Sequence, residues 1–157
     1  APNSSPTTTA PPTTTAPPTT TPPAPPNRLR RITFEEIRVV NDCDGPGGAG
    51  DFTFEIGATG GPAPFSRQFG MPRDRLRLDD GDSITIGDRY EVDITDGNVP
   101  IVISFRATET DLGRVDLEEY AEVRVSGSGE IVLARPTGFG DFACRVLLEY
   151  DVDTIAF

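Results

Sequence analysis

Asn41-Asp42-Cys43-Asp44-Gly45-Pro46-Gly47-Gly48-Ala49-Gly50-Asp51 lies between two strongly alternating apolar segments. Glycine and proline at this density interrupt any regular element, so the chain must turn here. Before the stretch, Ile32 and Phe34 alternate, followed by Ile37 and Val39 in the opposite parity. After it, Phe52, Phe54 and Ile56 share one face, with Thr53 and Glu55 on the other. A period of two means half-buried strands. The parity change predicts a bulge at Glu35-Glu36. The stretch therefore reads as a loop at one end of a β-sandwich, pinned through Cys43 and rich enough in carboxylates to hold a metal ion.

Working outward, the rest of the chain from Arg28 to Phe157 also reads as strands. Gly57 to Pro72 is a long loop with a short strand near Phe65 to Phe69. Leu76 and Leu78 alternate with Arg75 and Arg77, and Asp79-Asp80-Gly81-Asp82 turns the chain. Ile84, Ile86, Tyr90, Val92 and Ile94 form either a hairpin through Gly87-Asp88 or one long bulged strand. Ile101, Ile103, Phe105 and Ala107 give the cleanest alternation. Leu112 to Ala121 is the sole candidate for a helical turn. Val123 with Val125, and Ile131 with Leu133, flank Ser126-Gly127-Ser128-Gly129 as a hairpin. The last strand carries Phe142, Cys144, Val146, Leu148, Tyr150 and Val152 on one face. About eight short strands with no convincing helix imply an all-β fold, a two-sheet antiparallel sandwich.

The two cysteines, Cys43 and Cys144, fall in the inward phases of the first and last strands. In an exported protein an even count favours a disulfide, with two buried free thiols as the alternative. A bridge would close a loop of about 100 residues, worth up to about 4.7 kcal/mol in the chain-entropy model. It would also bring the end of the first strand to the start of the last. Counting strands back from there, the Arg135-to-Asp141 and Thr108-to-Tyr120 loops share an end with Asn41 to Asp51.

That shared end is acidic. Candidate metal ligands are Asp42, Asp44 and Asp51 from the first loop, and Glu109, Asp111 and Asp116 from the second. Asp79, Asp80 and Asp82 join them if residues 83–95 form one strand. Calcium takes six to eight oxygen ligands and suits carboxylates converging from separate loops. The layout resembles calcium-binding β-sandwiches of the C2-like type, which implies calcium at the acidic loops. Asp42-Cys43-Asp44-Gly45 lacks the spacing and terminal Glu of an EF-hand. The plain alternative is that Asp and Asn populate turns in an acidic protein.

Residues 1–27 form a separate region. The first 26 residues are only Ala, Pro, Asn, Ser and Thr, with Thr-Thr-Thr-Ala-Pro-Pro starting at Thr7 and again at Thr13. Such a tract buries nothing, so it reads as a disordered or polyproline II tail. Its threonine clusters, Thr7, Thr8, Thr9, Thr13, Thr14, Thr15, Thr19, Thr20 and Thr21, suit O-glycosylation as in mucin-like stalks. An unmodified linker is the other reading. The tract resembles linkers of secreted actinobacterial proteins, and Ala1 suits the residue after signal cleavage. Both point to a secreted or cell-surface protein.

Composition excludes several function classes. All 25 acidic and 14 basic residues lie after the tract, giving a net charge of −11. Phosphate contacts would be repulsive, so nucleic acid is not expected as a partner. No stretch has the length for membrane insertion as a helix. With no histidine there is no Ser-His or Cys-His pair. The glycine-rich segments at Gly45 to Gly50 and Gly57 to Gly61 lack the following helix or Lys of a phosphate cradle. Arg28, Arg30 and Arg31, with Arg73, Arg75 and Arg77, read either as a basic stripe on an outer face or, preferred here, as cross-strand partners for the surplus acids. Two non-enzymatic readings remain. One is an extracellular recognition module on a spacer, binding glycan or protein. The other is a structural subunit of an extracellular assembly, contacting copies of itself.

Overall fold

The computed structural model describes residues 2–5, 10, 20–44, 48–97, 99–111, 114–135 and 144–157. Thr7, Thr8, Thr9, Thr13, Thr14, Thr15 and Thr19 lie outside these residues, as do Leu112, Phe142 and most of the Arg135-to-Asp141 loop. Thr20 and Thr21 are exposed and belong to no strand. The domain is all-β.

Ten strands follow in order: β1 (Arg28–Asp42), β2 (Gly50–Thr59), β3 (Phe65–Phe69), β4 (Leu76–Leu78), β5 (Ser83–Thr85), β6 (Arg89–Asp93), β7 (Val102–Asp111), β8 (Arg114–Arg124), β9 (Gly129–Arg135) and β10 (Cys144–Ala156). One antiparallel sheet has the order β5-β1-β10-β9, with β6 also on β1; the other has β3-β2-β7-β8, with β4 also on β2. β5 and β6 thus share one edge of β1, and β3 and β4 share one edge of β2. The ten strands fill eight lateral positions.

The bulge in β1 lies where the parity change put it, between Phe34 and Glu36 against β10. Opposite it, Ile86 and Gly87 donate to the carbonyls of Glu35 and Phe34. β5 and β6 therefore form one bulged passage along β1 rather than a hairpin. A second bulge, between Val39 and Asn41, was not legible. It moves Asp42 into the inward phase, opposite Cys144, and leaves Cys43 just beyond the strand with φ of 79°.

Two expectations are corrected. Residues 114–121 are not helical; they belong to β8, where Leu117 is buried and the backbone pairs with β7 along its length. The Ser126-to-Gly129 segment is not a hairpin. β8 pairs with β7 and β9 with β10, so this segment carries the chain from one sheet to the other. Local turn signals mark the reversal and say nothing of which strand receives it.

The core lies between the sheets. Phe34 stacks on Phe65, Phe52 on Phe54, and Phe54 on Phe105, with ring centroids 5.2–6.1 Å apart. At the edge, the Tyr90 hydroxyl accepts from Gly61 N–H at 2.7 Å and donates to the Ala63 carbonyl at 3.2 Å, tying the sheets together. Arg28 pairs with Ala156 and Asp42 with Cys144, so the Pro/Thr tract joins one end of the sandwich and the acidic loops occupy the other. At about 3.4 Å per residue, β1 holds these ends roughly 50 Å apart. No helix among the described residues is long and apolar enough to cross a membrane.

Candidate metal centre

Cys43 and Cys144 form a disulfide with a Cα separation of 4.5 Å. The bridge ties the end of β1 to the start of β10, so Asp44 leaves a fixed point. Two glycines let the chain return close to itself. A Cβ on Gly48 would lie 2.7 Å from the Asp44 Cβ, and one on Gly50 would lie 2.6 Å from the Asp42 carbonyl oxygen.

Across from this loop stands Glu109. It is not a loop residue: it continues the inward phase of Ile101, Ile103, Phe105 and Ala107 on β7 and is 0% exposed. One carboxylate oxygen accepts from the Asp51 N–H at 3.3 Å, and the other has no hydrogen-bond partner. Asp116 is likewise on a strand, β8, with the Arg135 guanidinium 3.7 Å from its Oδ1. The Asp116 carbonyl accepts from Arg135 and lies 3.9 Å from Cys144 Sγ. Most of the Thr108-to-Tyr120 segment read as a loop from sequence is strand, since β7 runs to Asp111 and β8 begins at Arg114.

Carboxylate oxygens of Asp44, Glu109 and Asp116 all lie within 4.8 Å of one another. Burial and crowding show in the protonation of Glu109 and Asp44. Burial, then the charges of Asp44, Asp116 and Asp111, push Glu109 up to about 7, against the Asp51 N–H that favours its charged form. Asp44 is also raised, first by burial and then by Asp111, Asp116 and Asp51, with Arg77 opposing. Three of the six candidate ligands are thus in direct reach of one another, with the charges of Asp51 and Asp111 flanking Asp44.

Asp42 stands apart. It is 3% exposed, its Oδ1 accepts from Asp44 N–H at 3.1 Å, and its own N–H donates to Asp80 at 2.7 Å. Burial is the main cause of its raised pKa. It shapes the backbone turn around Cys43 and does not join the three-carboxylate group.

Asp79, Asp80 and Asp82 do reach this end, as one continuous β5–β6 passage requires. Each carboxylate accepts from a backbone N–H: Asp82 from Asp79 at 2.8 Å, Asp79 from Asp80 at 3.0 Å, and Asp80 from Asp42 on β1 at 2.7 Å.

The donor set is all oxygen, which suits a hard cation. Three oxygens at the 4.8 Å limit leave a common centre about 2.8 Å from each, so a closure of a few tenths of an ångström brings them into the calcium range. Magnesium, at about 2.1 Å in a near-ideal octahedron, requires a tighter cage.

No family model and no curated protein matches the chain. Among solved structures, a C2 domain of plant extended synaptotagmin 1 matches at 15% identity and a TM-score of 0.35, covering 81% of this chain and 96% of that one. Human GIVD cytosolic phospholipase A2 in complex with methyl gamma-linolenyl fluorophosphonate matches at 12% identity and 0.35, covering 80% of this chain and 17% of that one. Scores of this size carry no argument about function, which has to come from the chain's own residues.

Proposed function

We propose that this domain is a non-catalytic extracellular recognition module, displayed on its Pro/Thr spacer and stabilised by calcium. Asp44, Glu109 and Asp116 hold the ion, with Asp51 and Asp111 adding negative charge around it. The observation that carries the reading is the second oxygen of Glu109, buried and without a partner. A buried carboxylate in that state is costly unless it is protonated or meets a cation. Its neighbours here are two further carboxylates. The disulfide supports an oxidising compartment. The roughly 50 Å between spacer and acidic end supports display, because the site faces away from the attachment.

The other reading, a structural subunit of an extracellular assembly, has in its favour the outer edges of β8 and β9, which carry no partner strand among the described residues. Against it, Asp116, Glu118, Glu119 and Glu122 lie along β8, and like charges oppose edge-to-edge pairing of copies. Light scattering of the full chain, with and without residues 1–26, separates the two. A monomer with an unchanged melting temperature in both forms supports display, and an oligomer dispersed by truncation favours assembly. The calcium site is tested by thermal melts in millimolar calcium chloride against sodium chloride at matched ionic strength. Calcium alone should raise the melting temperature; equal shifts in both salts would sink the site.

A further inference from the structure

At the opposite end of the sandwich, a groove of about 340 Å³ opens between the sheets, lined by Arg30, Val99, Pro100, Arg124 and Val125. Arg30 comes from β1, in the inward phase of Ile32 and Phe34, and Arg124 and Val125 come from the end of β8 and just beyond it. The Arg30 Nε is buried and has no hydrogen-bond partner. Four other arginines, Arg31, Arg38, Arg67 and Arg135, each have a carboxylate oxygen within 4.0 Å. What sets Arg30 apart from the other arginines is that its unpaired nitrogen is buried; Arg124, which shares the groove, also has no carboxylate in ion-pair contact among the described residues. A buried guanidinium N–H demands an acceptor, and a carboxylate or sulfate meets it with a charge-assisted bond.

An adjoining hollow of about 390 Å³ shares Val99 and is lined by Asp93, Asp96 and Gly97. Asp93, which lines the hollow, accepts from Thr95 N–H at 2.8 Å. Its acids repel an anion and accept from hydroxyl donors. The polarity of the pair is therefore fixed: a negative head toward Arg30 and Arg124, an apolar ring face over Val99, Pro100 and Val125, and hydroxyl groups toward Asp93 and Asp96.

We propose that this end binds an acidic sugar residue, one carrying a carboxylate or sulfate on a hydroxylated ring. The inference rests on the recognition-module reading for its ligand class. It is independent of the calcium site, which lies at the other end.

The test is a chemical-shift titration of the full chain with sodium glucuronate, sodium acetate, glucose, and sodium chloride at matched ionic strength. Glucuronate should shift the amides of Val99 and Val125 saturably, acetate more weakly, and glucose and chloride not at all. Loss of one charge-assisted bond in Arg30→Gln should weaken glucuronate binding about tenfold. Arg124→Gln, at an exposed position, reports on the groove without risk to the core. Asp44→Asn should leave the titration unchanged, so failure of the calcium site and failure of the groove are separable. Saturable shifts that persist in the Arg30→Gln/Arg124→Gln double variant would overturn the proposal, as would none at tens of millimolar glucuronate. Acetate binding as tightly as glucuronate would overturn the sugar as its ligand.

Discussion

Asp79, Asp80 and Asp82 sit in a four-residue turn and each accepts from a backbone N–H, two from within the turn and Asp80 from Asp42 on β1, whereas Asp44, Glu109 and Asp116 converge from three separate elements. In the turn, Asp79 and Asp82 find donors within one to three residues, as Asp commonly does, and Asp80 takes its donor from β1. At the convergent group, the Asp51 N–H meets one oxygen of Glu109, the Arg135 guanidinium stands by Asp116, and the other Glu109 oxygen is left without a donor. Both groups share one end of the molecule and look alike as composition. Acids brought together by tertiary structure have no built-in donors, and that shortage separates a candidate ion site from a solvated turn.

The largest expected effect comes from removing the anchor of the convergent group. Cys43→Ser with Cys144→Ser should cost about 2–5 kcal/mol in urea melts, the range for native disulfides in small secreted domains. Because Asp44 follows Cys43 directly, the same variant should also lose most of its melting-temperature response to calcium. A full calcium response without the bridge would show that the convergent group is not held by it.

Metal-free stability should next depend on pH in a definite direction. Glu109 stands at about 7 in the fold against an ordinary value of 4.5, so between these values the folded state keeps a proton that the unfolded chain has released. Stability from this group is complete below about pH 4.5 and is lost as the pH rises to about 7, on the order of 3 kcal/mol at most. The raised values of Asp42 and Asp44 act in the same sense at lower pH. In chelator, Glu109→Gln should flatten this slope near neutrality and be the more stable protein at about pH 7. A variant that keeps the wild-type slope would move the effect to other carboxylates.

Calcium should restore at neutral pH what the repulsion removes. A ligand bound only by the fold adds about 2.7 kcal/mol at a hundredfold excess over its dissociation constant. Asp44→Asn should abolish most of the thermal shift and Asp111→Asn, a flanking charge, only part of it. Equal losses in the two would place Asp111 among the direct ligands.

The sandwich, its Glu35-Glu36 bulge and the disulfide were legible because alternation and cysteine position are local or nearly so. β8 was missed because its polar run, Asp116, Glu118 and Glu119, masks Leu117 and Ala121 as an inward row. Glu109 was found for the wrong reason, as a loop acid. Its better signal was present: the phase of Ile101, Ile103, Phe105 and Ala107 leads directly to it. A carboxylate in an inward phase is the mark of a buried charge. Asp42 was placed with the ligands because the second β1 bulge, which redirects it, leaves no trace in the hydrophobic pattern.

The smallest expected effect tests the other half of the comparison. Asp80→Asn keeps a side-chain oxygen for the Asp42 N–H, now held at 2.7 Å, and removes one negative charge near Asp42, whose raised pKa owes part of its shift to Asp80. The lost charge assistance and the relieved repulsion oppose each other, so stability should change by about 1 kcal/mol or less. The calcium-induced shift should be that of the wild type, since Asp80 belongs to the turn and not to the convergent group. Thermal melts with and without calcium measure both quantities on one sample. If Asp80→Asn blunts the calcium response as strongly as Asp44→Asn does, the two acidic groups act as one site, and the division between donor-supplied turn and donor-starved cluster fails.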